Sequence, residues 1–152
     1  MKKIFILLIS GLIFSCTNST KIVFLGDSIT NAGVYDTEVG IPYDGELVYP
    51  KYTGFITLLS RSVEESTELI GKGIGGDKVS DLLTRYRDDV IKLSPDKVFI
   101  YIGVNDVWHT YFDIPYLLNP QGMVTPLSNI VFYEKGLRKI ITDIKRSKAK
   151  II

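Results

Sequence analysis

The sequence predicts an α/β domain, a parallel sheet with helices on both faces. Short apolar runs of β character alternate with longer helical stretches along most of the chain. Two runs, Lys21-Ile22-Val23-Phe24-Leu25 and Lys97-Val98-Phe99-Ile100-Tyr101-Ile102, are apolar throughout after the leading lysine. Unbroken runs of that length suit strands buried on both faces. Each is closed by a glycine, Gly26 or Gly103. Strands that alternate with helices imply right-handed crossovers and therefore parallel pairing.

The elements follow in order. Residues 31–50 contain Gly33, Gly40, Pro42, Gly45 and Pro50 and read as an irregular loop. From Tyr52 to Glu65, the residues Phe55, Ile56, Leu58, Leu59 and Val63 fall on one helical face. Glu68-Leu69-Ile70 is a short strand before a glycine cluster. Val79 to Leu93 is a second helix, striped by Val79, Leu82, Leu83, Tyr86, Val90 and Ile91. Ser94-Pro95 ends it, because proline disfavours helical geometry in the residue before it. Residues 107–128 are loop-like, with Pro115, Pro120, Gly122 and Pro126. Ile130 to Ser147 is a third helix, with Ile130, Tyr133, Leu137, Ile140, Ile141 and Ile144 on one side. Ala149-Lys150-Ile151-Ile152 begins a fourth strand, so the domain is expected to be incomplete at its C-terminus.

The N-terminus reads as a targeting segment. Met1-Lys2-Lys3 is a basic start, and Ile4 to Phe14 is an apolar run broken only by Ser10 and Gly11. It is too short to span a bilayer, which takes about twenty residues. Ile13-Phe14-Ser15-Cys16 resembles a bacterial lipobox, in which the cysteine is lipidated after cleavage. The expectation is a signal peptide over 1–15 and a lipidated tether over 16–20, with the domain over 21–152. The protein would then be exported to the periplasm or outer membrane as a lipoprotein, or otherwise secreted. It would meet the membrane through acyl chains alone. Cys16 is the only cysteine, which rules out an intrachain disulfide.

Across its 152 residues the chain is 45% hydrophobic and 23% charged, with net charge +1. Setting Lys2 and Lys3 aside leaves 16 basic against 17 acidic residues. Near-neutrality gives no electrostatic case for a nucleic-acid partner or an anionic membrane surface.

Ligands of open parallel sheets bind at the carboxyl ends of the strands. Polar clusters lie at the three readable ends: Gly26-Asp27-Ser28, Gly75-Gly76-Asp77 and Gly103-Val104-Asn105-Asp106. Ser28 follows a strand and opens a helix, where its hydroxyl is exposed near backbone N–H groups. A serine nucleophile needs a base, and the oxyanion it creates needs preorganised donors. Gly76 offers an unobstructed backbone N–H and Asn105 a side-chain amide. Each cluster alone also reads as a turn or a helix cap.

Together the clusters resemble the three leading blocks of the SGNH/GDSL hydrolases. Gly26-Asp27-Ser28-Ile29-Thr30 matches the first, Gly73-Ile74-Gly75-Gly76-Asp77 the second and Gly103-Val104-Asn105-Asp106 the third. The resemblance implies a flavodoxin-like three-layer α/β/α sandwich and ester hydrolysis through an acyl-enzyme, with no metal or organic cofactor. It puts Ser28 at the nucleophile position, and the Ser28 N–H, the Gly76 N–H and the Asn105 amide at the oxyanion hole. Gly26, Asp27 and Asp106 support the loops. The expected substrate is a small acyl ester, acetylated carbohydrate first and a lipid ester second.

The second block usually opens with asparagine, where this chain has Gly71. The last block, Asp-x-x-His near the C-terminus, is absent, and with it the general base. His109 is the only histidine. With Trp108 it is assigned to pocket lining; surrogate base and plain surface are the other readings. Lacking its base, the same fold could hold an acylated ligand without turnover, or be an inactive fragment of an esterase. Tyr35, Tyr43, Tyr49, Tyr52, Trp108 and Tyr111 would suit stacking on sugar rings. A remoter alternative is dinucleotide binding, because Gly71-Lys72-Gly73-Ile74-Gly75-Gly76 satisfies G-x-G-x-x-G. It lacks the acidic residue expected at the end of the next strand. The G-x-S-x-G elbow fails at Thr30, and a P-loop fails at Asp77.

Overall fold

A computed structural model describes residues 19–107 and 126–152. The expected leader and Cys16, together with Trp108, His109 and Tyr111, lie outside the described residues. The run 20–26 forms β1 (Thr20–Gly26), and α1 (Ser28–Ala32) follows directly. A hairpin of β2 (Ile41–Tyr43) and β3 (Glu46–Val48) comes next, then α2 (Phe55–Ser60) and β4 (Thr67–Gly73). After α3 (Val79–Asp89) and a 3-10 turn at Ile91–Leu93 comes β5 (Lys97–Tyr101). The long helix α4 (Pro126–Arg146) leads into β6 (Lys150–Ile151).

The main sheet has the order β4-β1-β5-β6, and every pair in it is parallel. Numbered among themselves in chain order, these strands run 2-1-3-4, which is the doubly wound, flavodoxin-like arrangement. Val23 and Leu25 of β1 and Val98 of β5 are fully buried on one face. They pack with Val79, Leu82 and Tyr86 of α3 and with Ile140 and Ile144 of α4. Burying each Leu or Val of this kind contributes roughly 1.5–3 kcal/mol. On the opposite face Phe24 stacks on Phe99 (5.5 Å between centroids) and meets Phe55 edge-on (5.8 Å). Helices on both faces of a parallel sheet make the expected three-layer α/β fold.

Several boundaries differ from the sequence expectation. The first helix expected after residue 50 begins only at Phe55, because Gly54 is extended (ψ 158°) and donates its N–H to the Tyr35 carbonyl. Only Ile56 of its apolar face is buried; Phe55, Leu58 and Leu59 stay exposed. The loop over 31–50 contains the β2–β3 hairpin, turned by Asp44 and Gly45 at φ +49° and +83°. Paired positive φ values at an Asp-Gly step are the backbone of a tight hairpin turn. The strand expected at Glu68–Ile70 continues through Gly73, where it pairs with β1 up to Gly26. The last helix starts at Pro126, ahead of the expected Ile130.

Candidate active site

The ends of β1, β4 and β5 meet at one edge of the sheet, and the order reverses at β1. That reversal is where doubly wound sheets open a crevice for ligands. Asp27 leaves β1 in an extended conformation and caps α1; its Oδ1 accepts the Ile29 N–H at 3.0 Å. Its carboxylate is fully buried, and Oδ2 makes no hydrogen bond with a described group. Ser28 is the first residue of α1 and is exposed. Gly26 is fixed by space: a Cβ there would lie 2.2 Å from Thr30 Oγ1 and 2.3 Å from the Tyr101 carbonyl oxygen.

The Ile74–Asp77 turn is bound to β1 by Ile74 N–H donating to the Gly26 carbonyl (3.2 Å). It closes on itself through Asp77 N–H to the Ile74 carbonyl (3.3 Å). Gly76 has φ +83° and open space where a Cβ would be, so its backbone conformation, not crowding, calls for glycine. At Gly71, where the family usually has asparagine, a Cβ would lie 2.4 Å from Val34 Cγ1. Val34 thus fills the space that a side chain on residue 71 would need.

Asn105, 9% exposed, donates from its side-chain Nδ2 to the Asp77 carbonyl at 2.9 Å. An amide carries two N–H donors, so a second remains for a ligand. Both Asp106 oxygens accept the Val79 N–H (3.1 and 3.2 Å), capping α3 from 27 residues away. The capping residue of α3 itself is Lys78, whose side chain has no acceptor. Burial pushes the Asp106 carboxyl above the usual carboxylate range, against the lowering effect of the Val79 N–H. Asp106 and His109 stand in Asp-x-x-His spacing, yet Asp106 is engaged at the end of α3. Tyr133 of α4 reaches the same corner and donates to the Ile102 carbonyl at 3.1 Å. Burial, followed by the nearby Asp106 charge, raises its pKa.

A cleft of about 560 Å³ opens beside Ser28, lined among others by Asn31, Tyr35, Tyr52 and Phe55. The Tyr35 and Tyr52 rings lie 5.9 Å apart, tilted by 36°. Tyr49 is exposed and does not line the cleft. Sequence reasoning missed Arg85, which ties Asp77 to the ends of β1 and β4. The available signal was an arginine beside the apolar stripe of α3, eight residues after Asp77 and four before Asp89. The dinucleotide reading fails structurally at its first two glycines. Gly71 and Gly73 lie within β4 and pair with β1, so they form no phosphate-cradling turn. Among the described residues no cluster of three or more His, Cys, Asp or Glu side chains is placed to hold a metal ion.

The chain is similar to known proteins over most of its length. It is 35% identical over 127 residues to an acetylxylan esterase of Geobacillus stearothermophilus, covering 82% of this chain and 54% of that one. A weaker likeness, 28% over 85 residues, joins it to the uncharacterized lipoprotein YqeF of Bacillus subtilis (strain 168), covering 56% of this chain and 31% of that one. The crystal structure of the acetyl xylan esterase AlAXEase superposes with a TM-score of 0.60 at 33% identity, over 87% of this chain and 56% of that one. A catalytic mutant of Axe2, an acetylxylan esterase from Geobacillus stearothermophilus, gives 0.59 at 30% identity, over 87% and 57%. The chain thus spans about half the length of the esterases it matches. Residues 24–152, which hold all three strand-end clusters, match the model of the GDSL-like lipase/acylhydrolase family, and the chain belongs to that family of carboxylic ester hydrolases.

Proposed function

We propose that this protein hydrolyses acetyl esters of carbohydrate, with Ser28 as nucleophile. The observation that carries the reading is that the Asn105 amide bonds to Asp77, next to Gly76, while the same turn bonds at Ile74 to Gly26, two residues before Ser28. The Ser28 hydroxyl attacks the ester carbonyl, and the acyl–oxygen bond to the sugar breaks. The sugar leaves as a free hydroxyl with the proton that Ser28 gives up. Water then hydrolyses the acyl-enzyme to acetate and free Ser28. Charge that develops on the carbonyl oxygen is received by the Ser28 and Gly76 N–H groups and by the second Asn105 N–H. Related esterases support both parts of the reading. Catalytic mutants of Axe2 replace a serine, an aspartate or a histidine by alanine, and the enzyme is an acetylxylan esterase.

The test uses the complete gene product and a chromogenic acetyl ester. Ser28→Ala is expected to abolish turnover, and Asn105→Ala to lower kcat by about 10²–10³. Undiminished turnover by Ser28→Ala would refute the mechanism. A second reading rests on the Tyr35–Tyr52 ring pair in the cleft beside Ser28, which suits stacking on a sugar ring. It is binding of acetylated oligosaccharide without product release, which calorimetry beside the assay separates from hydrolysis.

The lipobox-like Ile13–Cys16 supports export and lipid anchoring, as does the likeness to a protein named as a lipoprotein. Labelled palmitate is expected to enter the wild type and not Cys16→Ala. Equal labelling of both would remove the anchor.

A further inference from the structure

We propose that Arg85 is the positioning residue of the oxyanion hole, acting through Asp77. The inference rests on the assignment of Gly76 and Asn105 to that hole. Arg85 lies on α3, its side chain 15% exposed, and it donates four hydrogen bonds and pairs with two carboxylates. Nε and Nη2 reach the same Asp77 oxygen at 2.8 and 2.7 Å. Nη2 also donates to the Gly26 carbonyl at 2.9 Å, and Nη1 to the Lys72 carbonyl at 3.1 Å. The remaining Nη1 donor meets Asp89, one turn along the helix.

These partners are the pieces that carry the candidate groups. Gly26 ends β1, two residues before Ser28. Lys72 lies at the end of β4, where the Ile74–Asp77 turn begins. Asp77 follows Gly76, and its carbonyl receives the Asn105 amide. One planar guanidinium therefore sets the spacing between the nucleophile's strand and both other donors. Charge-assisted bonds to a buried carboxylate hold such geometry better than neutral ones. Lysine offers three donors from a single nitrogen and cannot serve four acceptor groups laid out for a fork.

The test compares wild type, Arg85→Lys, Asn105→Ala and the double variant, each confirmed folded by circular dichroism at the assay temperature. Arg85→Lys is expected to lower kcat by about 10–100-fold, the scale of an ångström-sized misplacement, with KM within about twofold. In the Asn105→Ala background the same change should cost less than about threefold, because the hole it serves is already broken. Amide exchange supplies a readout independent of turnover. In Arg85→Lys the Ile74 and Asp77 amides should exchange at least about tenfold faster than in wild type, while Val98 at the sheet centre is unchanged. Losses that multiply in the double variant, or exchange that quickens uniformly, would reduce Arg85 to a general structural role and overturn the proposal. Retained turnover in Ser28→Ala would instead refute the underlying site assignment, a distinct outcome.

Discussion

Asp106 joins two parts of the chain through a single side chain, and its chemistry gives a pH test. Its folded pKa lies above the ordinary value near 3.8, with burial as the leading cause. An acid of that kind binds its proton more tightly folded than unfolded. Its contribution to stability is therefore complete below the unfolded pKa and is lost as pH rises through the folded one. Asp143 has the opposite sign. The Tyr86 hydroxyl, followed by Lys139, holds it below the usual range, so its contribution is present above pH 3.8 and lost as pH falls through the folded pKa. Asp106→Asn should keep an acceptor for the Val79 N–H and remove the first slope. Melting temperature against pH, from just below 4 upward, is expected to decline less in Asp106→Asn than in wild type. Parallel curves would show that the carboxyl titrates normally.

At the scale of elements, α3 and α2 make contrasting predictions. Leu82 of α3 is fully buried between the sheet and α4, and Leu82→Ala should cost about 2–5 kcal/mol in urea unfolding. Leu58 of α2 is half exposed, and Leu58→Ala should stay within about 1 kcal/mol. The two leucines read alike in the sequence, since each sits in a helical stripe. Periodicity names the apolar face of a helix but not what covers it. The parallel strands and the cluster at the end of each were legible, because unbroken apolar runs and glycine stops are local signals; that β5 leaves Phe99 and Tyr101 exposed was not. The β2–β3 hairpin had a local signal too, Asp44-Gly45 between Ile41-Pro42-Tyr43 and Glu46-Leu47-Val48. The surrounding glycines and prolines made the whole stretch read as loop. The start of α2 at Phe55 was not legible, because the Gly54-to-Tyr35 hydrogen bond that sets it is tertiary. Arg85 was hidden for the same reason: its acceptors lie up to 59 residues away.

At the scale of the whole molecule, the sheet depends on distant pairings. β1 pairs with β4 from Thr20↔Thr67 and with β5 from Ile22↔Lys97. Long-range parallel pairing slows folding, so refolding followed by stopped-flow circular dichroism is expected in milliseconds to seconds, not microseconds. A microsecond phase carrying the full amplitude would contradict a sheet assembled in this way. The position of β1 also bears on biosynthesis. Of the described strands the first to leave the ribosome is β1, an interior one, and its second neighbour is 75 residues behind it at the Lys21–Asp96 contact. At ordinary synthesis rates that is roughly 4–15 s. For that interval Ile22-Val23-Phe24-Leu25 lacks one edge partner and much of its cover. A nascent chain in that state is a natural client for chaperones, and one still extended is in a form that a secretion channel can thread.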